Sequence, residues 1–222
     1  MIKVRNLTKS YHTKGGRHYV FNDVSTDFPG DVSIGIIGPN GSGKSTLLRI
    51  LGGIDYPDAG SIDSKCSFSW PMALRGGFVS HLSGKENCRM VCNLYGLSRG
   101  QVREQLDLIR ELSGLESYFQ EPVKSYSSGM NGRLGFALSM SFDFNYFLID
   151  EITAVGDAQF KSLAKKVLRE KAKNSKVIMV SHNMSDIREF CDVGVLVRDG
   201  DVIFYDDLDS AIKEYMSGSQ KN

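Results

Sequence analysis

The segment Gly38-Pro-Asn-Gly-Ser-Gly-Lys44-Ser45-Thr46 decides the fold of this chain, because it matches the phosphate-binding pattern G-x-x-x-x-G-K-[ST]. An apolar run at residues 34–37 precedes it, and leucines at helical spacing follow it. The local order is therefore predicted to be strand, glycine-rich loop and helix. The residues that we expect to hold a nucleotide here are Gly38, Pro39, Asn40, Gly41, Ser42, Gly43, Lys44, Ser45 and Thr46.

Glycines in such a loop let the backbone turn its N–H groups toward the β- and γ-phosphates. The helix that follows directs the positive end of its dipole at the same anions. Lys44 would reach the terminal phosphates, and Ser45 would ligate Mg²⁺. A glycine-rich turn without a ligand is the alternative, which the strand before the loop and the helix after it disfavour. The pattern predicts nucleotide binding.

Length and composition favour one α/β domain. With 222 residues, of which 41% are hydrophobic, the chain can bury one substantial core. Its net charge of +1 gives no global field that would attract nucleic acid or an anionic membrane surface. No apolar run approaches the roughly 20 residues that span a bilayer, and the first five residues lack a secretory core. Four cysteines fit a reducing compartment, so we expect a cytosolic protein.

The apolar pattern predicts three regions along the chain. Two antiparallel strands around a turn at residues 13–16 come first. Residues from about 84 to 141 should be mostly helical, with Ser83 and Glu86 at capping-box spacing at the start. Buried strands are then predicted at residues 146–149, 177–180 and 193–197. Because a helix separates the first two of these strands, they should pair in parallel. Asp199-Gly200 predicts a hairpin turn, and a short helix should follow that hairpin.

Two carboxylates, Asp150 and Glu151, follow the first of these buried strands. Parallel sheets present ligand-binding groups at the carboxyl ends of their strands. Asp150 suits the shell of a Mg²⁺ ion, which prefers hard oxygen ligands. Glu151 suits a general base that deprotonates a water in line with the γ-phosphate. Paired acids after a strand otherwise often cap the next helix, and the phosphate-binding loop upstream favours the catalytic interpretation.

Two further segments place polar groups at the ends of predicted elements. His182 follows the next apolar strand, where its imidazole could hydrogen-bond the γ-phosphate or hold the attacking water and Glu151 in line. Ser127 and Gly129 precede a predicted helix and could form a second anion site. A structural role is the alternative for His182, and a plain helix N-cap is the simpler interpretation of Ser127.

Taken in order, these motifs resemble those of the ATP-binding subunit of ABC transporters. Residues 38–46 are similar to Walker A, residues 126–130 to the signature motif LSGGQ, and residues 146–151 to Walker B with its catalytic glutamate. The resemblance implies an α/β fold, namely a P-loop ABC ATPase with a RecA-like mixed core sheet and an N-terminal antiparallel β subdomain. It also implies a helical subdomain, inserted at about residues 84–141, within a single nucleotide-binding domain of residues 1–222.

The same resemblance assigns three single residues. It implies that Asp157 belongs to the D-loop of residues 154–157, that His182 is the switch histidine, and that Tyr11 stacks on adenine. ATP and Mg²⁺ would be the ligands, with Ser45 and Asp150 on the metal. The amino-acid sequences of several segments resemble more closely still those of one branch of the family, the ATPase of bacterial capsular polysaccharide exporters. Those segments are residues 52–55, 69–71, 76–78, 126–130 and 150–157.

The resemblance also implies partners and a place in the cell. Two identical chains would pair head to tail and hold ATP between Walker A of one chain and Ser127 of the other. A separate integral permease at the cytoplasmic face of the bacterial inner membrane would receive the motion and handle most of the glycan, and no nucleic acid would bind. O-antigen or teichoic acid export, a soluble non-transport ABC ATPase and a P-loop kinase for a small molecule are the alternatives.

The chain departs from the family pattern in two places. The signature segment reads YSSGM, which keeps Ser127 and Gly129 but lacks one glycine and the terminal glutamine. No glutamine occurs between Ser61 and Gly100, so the Q-loop glutamine, which links the nucleotide to the membrane subunit, has no direct counterpart. Residues 69–78 occupy that region, and we assign no replacement.

Overall fold

The structure, a computed structural model, describes residues 1–71, 77–151 and 157–219. Gly76 and residues 152–156, which include most of the predicted D-loop, lie outside the described residues. The chain divides into two compact units. The first unit takes in residues 1–71, 144–151 and 172–222, and the second takes in residues 72–143 and 152–171.

Strands dominate the two ends of the described chain, and helices dominate its middle. The strands are β1 (Ile2–Thr13), β2 (Gly16–Phe28), β3 (Ile34–Ile37), β4 (Ala59–Ser64), β5 (Tyr146–Asp150), β6 (Lys176–Val180), β7 (Val193–Arg198) and β8 (Asp201–Tyr205). The helices are α1 (Lys44–Leu51), α2 (Gly84–Leu94), α3 (Arg99–Ser113), α4 (Ser128–Met140), α5 (Ala158–Ala172), α6 (Met184–Phe190) and α7 (Leu208–Ser219), with 3₁₀ turns at Glu116–Gln120 and Val123–Ser125.

Two sheets build the first unit. One has the strand order β5-β6-β3-β7-β8, in which the first four strands run parallel and β8 is antiparallel to β7. The other is antiparallel, with the order β2-β1-β4. The predicted parallel pairing, the hairpin at Asp199-Gly200 and the N-terminal antiparallel strands are confirmed. Strand β4 was not predicted from the sequence, because Ile62 is the one large apolar side chain among its residues.

The order of the strands brings the polar segments of the first unit to one edge. Because β5, β6 and β3 are parallel neighbours, their carboxyl ends meet there. The glycine-rich loop follows β3, Glu151 follows β5, and His182 follows β6 by two residues. Buried side chains of these three strands belong to a hydrophobic cluster that also includes residues of β1, β2, β7, β8 and α1.

The second unit contains α2, α3, α4 and most of α5. Capping boxes begin both α2 and α3, at Ser83 and at Ser98. The box at Ser83 and the helical secondary structure from about residue 84 to residue 141 are confirmed predictions. None of the helices in the described residues combines the length and the hydropathy that crossing a bilayer requires.

Candidate functional site

The loop between β3 and α1 has a backbone conformation that favours glycine. The φ angles of Gly38, Gly41 and Gly43 are +150°, +78° and +106°. A Cβ atom on Gly38 would lie 2.1 Å from the carbonyl oxygen of Val197, and one on Gly43 would lie 2.4 Å from a methyl group of Val20. Both glycines are therefore required by space as well as by conformation.

Lys44 is the first residue of α1 and is only 7% exposed. Its Nζ atom donates to the carbonyl oxygens of Gly38 at 2.8 Å and of Pro39 at 2.6 Å. Burial lowers the pKa of Lys44, and the nearby carboxylates of Asp150 and Glu151 oppose that effect. The ammonium group thus lies on the loop itself, where an added anion would compensate for its burial.

Two further features of the loop fit an anionic ligand. The Oγ atom of Ser42 is buried, and it has no hydrogen-bond partner among the residues that the structure describes. A cavity of about 410 Å³ lies against the loop, with Asn40, Gly41 and Ser42 among its lining residues. Buried hydroxyl groups in native proteins normally have a partner, so Ser42 is suited to donate to a phosphate oxygen.

Ser45 and Asp150 are the candidates for a divalent cation. Ser45 lies near enough to the Asp150 carboxylate at the end of β5 for its hydroxyl to act on the pKa of that carboxylate. Burial raises the pKa of Asp150, while the nearby Ser45 hydroxyl and the charge of Lys44 act to lower it. A hydroxyl beside a carboxylate supplies the hard oxygens that Mg²⁺ prefers. Within the described residues no cluster of three or more His, Cys, Asp or Glu side chains could hold a metal, so phosphate and water oxygens would complete this shell.

Glu151 and His182 are brought together at the ends of adjacent strands. The Oε1 atom of Glu151 lies 3.4 Å from the Nε2 atom of His182, and both side chains are open to solvent. The Glu151 amide donates to the carbonyl oxygen of Val180 at 3.0 Å, which extends the pairing of β5 with β6 by one residue. The backbone then turns sharply, since Glu151 has a φ of +56°. The catalytic roles of both residues stay predictions.

Tyr11, two residues before the end of β1, belongs to a cluster of polar side chains. Its hydroxyl donates to Asp55 Oδ2 at 2.6 Å and accepts from Arg49 Nη2 at 2.8 Å. The Nζ atom of Lys9 lies 2.6 Å from Asp55 Oδ1 and 5.2 Å from the centre of the Tyr11 ring. Sequence analysis missed Lys9, Arg49 and Asp55 because no local pattern links residues that stand up to 46 positions apart. The adenine contact of Tyr11 stays a prediction.

Ser127 is the N-cap of α4 in the second unit. Its Oγ atom accepts a hydrogen bond from the amide of Met130 at 3.2 Å, so the N-cap interpretation is confirmed. Gly129 lies in the first turn of the helix, where a Cβ atom would meet only Ser127 Oγ, at 3.8 Å. The contacts of Ser127 and Gly129 with a nucleotide held by another chain stay predictions.

Asp157 has two partners within the second unit. Its Oδ1 atom accepts from the amide of Phe160 at 2.9 Å in the first turn of α5, and its Oδ2 atom accepts from Arg133 Nη2 at 2.7 Å. The backbone hydrogen bond from Phe160 is the main reason why the pKa of Asp157 is lowered. The helix cap and the arginine contact were both missed by sequence analysis, and the predicted nucleotide contact of Asp157 stays a prediction.

Comparisons with known proteins bear on the family of this chain. A family model described as ABC transporter matches residues 21–154. The polysialic acid transport ATP-binding protein KpsT of Escherichia coli is 47% identical over 97% of this chain and 96% of its own length. The capsule polysaccharide export ATP-binding protein CtrD of Neisseria meningitidis serogroup B is 40% identical over 98% of this chain and 99% of its own length.

A solved structure has the same fold. It is a dimeric ATP-binding cassette in a post-hydrolysis state, bound to ADP and phosphate, and it is 21% identical to this chain. The TM-score is 0.76, with 91% of this chain and 96% of that chain covered. The predicted fold class, a mixed core sheet with an antiparallel β subdomain and an inserted helical subdomain, is therefore confirmed.

Proposed function

We propose, from the premise that this chain belongs to the ABC transporter family, that it is the ATP-hydrolysing subunit of an exporter for capsular polysaccharide. Membership of this family is the basis for assigning ATP binding and ATP hydrolysis to the chain. The cargo is supported by full-length relatives that are named for the transport of polysialic acid and capsule polysaccharide. The observation that best supports hydrolysis at this site is the contact of Glu151 with His182 beside the phosphate-binding loop.

Glu151 is the general base of this proposal. Its carboxylate accepts a proton from a water molecule while the oxygen of that water attacks the γ-phosphorus. The bond from the γ-phosphorus to the bridging oxygen breaks, and ADP leaves. His182, 3.4 Å from Glu151, holds the carboxylate and the γ-phosphate in line. Exposure of both side chains leaves room for the water and the phosphate.

The nucleotide is held by residues 38–46 and by Tyr11. Loop amides and Lys44 bind the phosphates, and the ring of Tyr11 stacks on the base. Arg49, which contacts the Tyr11 hydroxyl, follows Lys44 by five positions on α1, which corresponds to about 7.5 Å along the helix axis. That spacing supports a base at Tyr11 and phosphates at Lys44. Ser45 and Asp150 would hold Mg²⁺, which when bound neutralises phosphate charge.

Two copies of the chain form the complete site in this proposal. Ser127, Gly129 and Asp157 of one chain face the phosphate-binding loop of the other, and two-fold symmetry then completes two equivalent sites. Closure on ATP and opening after hydrolysis move a separate integral subunit at the cytoplasmic face of the bacterial inner membrane. The words transport and export in the names of the relatives support such a membrane partner.

The test of the enzyme is ATP turnover by the wild type and by Glu151→Gln, each with and without membranes that contain the integral subunit. We expect turnover to fall on the order of 10²- to 10⁴-fold while ATP binding is retained, because only the proton acceptor is lost. Glu104→Gln, at an exposed position of α3, is the control and should turn over normally. Turnover that persists in Glu151→Gln would refute the base, and a chain that no membrane fraction retains would refute the transport partner.

The test of the cargo is complementation of a bacterial strain that lacks its own capsule-exporting ATPase. Expression of this chain with its integral subunit should move capsular polysaccharide from the cytoplasm to the cell surface, and Lys44→Ala should leave it inside. Surface delivery of O-antigen or teichoic acid in parallel strains, without delivery of capsule, would replace the proposed cargo by one of those glycans.

A further inference from the structure

We propose that Asp55 is a positioning residue for base recognition, holding the ring of Tyr11, with the help of Arg49, where the base of the nucleotide stacks. The inference rests on the proposed function, which assigns the stacking role to Tyr11. Asp55 itself need not touch the nucleotide. It lies in the turn after α1, where the proposed function assigns no role.

The hydroxyl of Tyr11 is held at both its proton and its oxygen. The proton goes to Asp55 Oδ2 at 2.6 Å, and the oxygen accepts from Arg49 Nη2 at 2.8 Å. A tyrosine side chain turns about only two bonds. Holding the hydroxyl oxygen fixes the first, and because the phenolic O–H prefers the plane of the ring, the direction of the bond to Asp55 favours one setting of the second. A ring face can support a base only if it stays in one orientation.

The charge of the Asp55 carboxylate strengthens these contacts. Burial acts to raise the pKa of Asp55, but hydrogen bonds from Lys9 and Tyr11 outweigh it and leave the pKa lowered. The Lys9 side chain is 10% exposed and the Asp55 side chain 21% exposed, so the ion pair between them is shielded from water. Hydrogen bonds to an ionised acceptor are about twice as strong as neutral ones.

Asp55 is itself held in place by the helix that begins with Lys44. The Asp55 amide donates to the carbonyl oxygen of Arg49 at 3.3 Å, and the Tyr56 amide donates to Asp55 Oδ1 at 3.0 Å. Helix α1 therefore begins with Lys44, which we assign to the phosphates, and carries near its other end Arg49, which contacts the Tyr11 hydroxyl and anchors Asp55. One rigid element fixes the distance from base to phosphate, which is the requirement for binding both at once.

The test compares ADP with inorganic pyrophosphate, which lacks the base, by calorimetric titration of the full chain. In Asp55→Ala we expect ADP to bind about 3- to 10-fold more weakly, with pyrophosphate unchanged. Tyr11→Phe, which keeps the ring and loses the hydroxyl, should match it, and the double variant should lose no more than either single one. Tyr11→Ala should lose the whole stacking contribution, roughly 5- to 100-fold for ADP alone.

Asp58→Ala is the matched control, because this carboxylate accepts hydrogen bonds from Ser10 and Arg17 nearby, whereas the Tyr11 hydroxyl donates to Asp55. It should leave the ratio of ADP to pyrophosphate affinity unchanged. If Tyr11→Ala leaves that ratio unchanged, the stacking role in the proposed function is wrong. If Tyr11→Ala lowers the ratio of ADP to pyrophosphate affinity but Asp55→Ala and Tyr11→Phe do not, the positioning role of Asp55 is wrong and the stacking role stands. The same conclusion follows if Asp55→Ala weakens the binding of both ligands equally.

Discussion

Glu151 occupies a backbone conformation that non-glycine residues seldom adopt. Its φ of +56° lies in the left-handed region, where a side chain costs about 1 kcal/mol or more. The turn follows the last backbone hydrogen bond between β5 and β6 and leaves the carboxylate 3.4 Å from His182. The conformation therefore costs stability at the residue to which we assign the chemistry.

This cost is measurable by substitution at Glu151. The variants Glu151→Gln, Glu151→Gly and Glu151→Val should all lack turnover, so their stabilities can be compared directly. A β-branched side chain tolerates positive φ least, so Glu151→Val should unfold about 1–2 kcal/mol more easily than Glu151→Gln, whereas Glu151→Gly should be no less stable. Urea denaturation of the three proteins measures this, and equal midpoints would contradict strain at this residue.

The start of α2 shows how a local pattern sets the end of an element. Glu86 accepts hydrogen bonds from the backbone amide and the hydroxyl of Ser83, and the backbone bond is the main reason why its pKa is lowered. Ser83 in turn accepts from the Glu86 amide at 3.2 Å. Both partners lie within one turn, which is why the sequence alone predicts this helix start.

The capping box should make stability depend on pH. The folded state binds a proton at Glu86 more weakly than the unfolded chain does, because the carboxylate form is hydrogen-bonded. Its contribution is therefore complete above the ordinary pKa of about 4.5 and is lost as pH falls through the lowered folded value. The stability difference between wild type and Glu86→Ala should be constant near neutral pH and shrink below about pH 4.5. Urea titrations at several pH values measure it.

Glu86→Gln is the matched control for this prediction, because an amide oxygen accepts hydrogen bonds without titrating. Its stability difference from Glu86→Ala should stay the same across the pH range. If that difference shrinks in parallel with the wild-type difference, other carboxylates are responsible and the assignment to Glu86 is wrong.

At the level of the assembled protein, the polar groups that we assign to one nucleotide belong to different units of the chain. The phosphate-binding loop, Asp150, Glu151 and His182 belong to the first unit, and Ser127 belongs to the second. The proposed dimer joins the first set of one chain to Ser127 of the other. Each chain then contributes half of each of two sites.

Mixing two inactive variants tests this division. Lys44→Ala removes the phosphate-binding ammonium. Ser127→Asp keeps an N-cap acceptor for α4 but places a negative charge against the phosphate. Each variant alone should be nearly inactive, whereas an equal mixture should recover about a quarter of wild-type turnover, since random pairing leaves one intact site in half of the dimers. ATPase assays at constant total chain concentration measure it, and no recovery in the mixture would refute the shared site.

Much of the fold followed from patterns within short stretches of the chain. The glycine-rich loop, the alternation of strand and helix, the hairpin at Asp199-Gly200 and the capping box at Ser83 all depend on residues close in sequence. Backbone preference, hydrophobic period and capping act over a few residues, so the sequence contains the whole of each signal.

Contacts between distant residues were decided by the tertiary structure alone. Three such contacts join residues that stand tens of positions apart in the chain. They are the hydrogen bond from Tyr11 to Asp55, the contact of Arg133 with Asp157 and the pairing of β4 with β1. The positions of Glu151 and His182 after two predicted strands indicated that they act together, but their 3.4 Å separation depends on the parallel pairing of β5 with β6. Such contacts arise because packing minimises exposed apolar surface over the whole chain, which no local window of sequence contains.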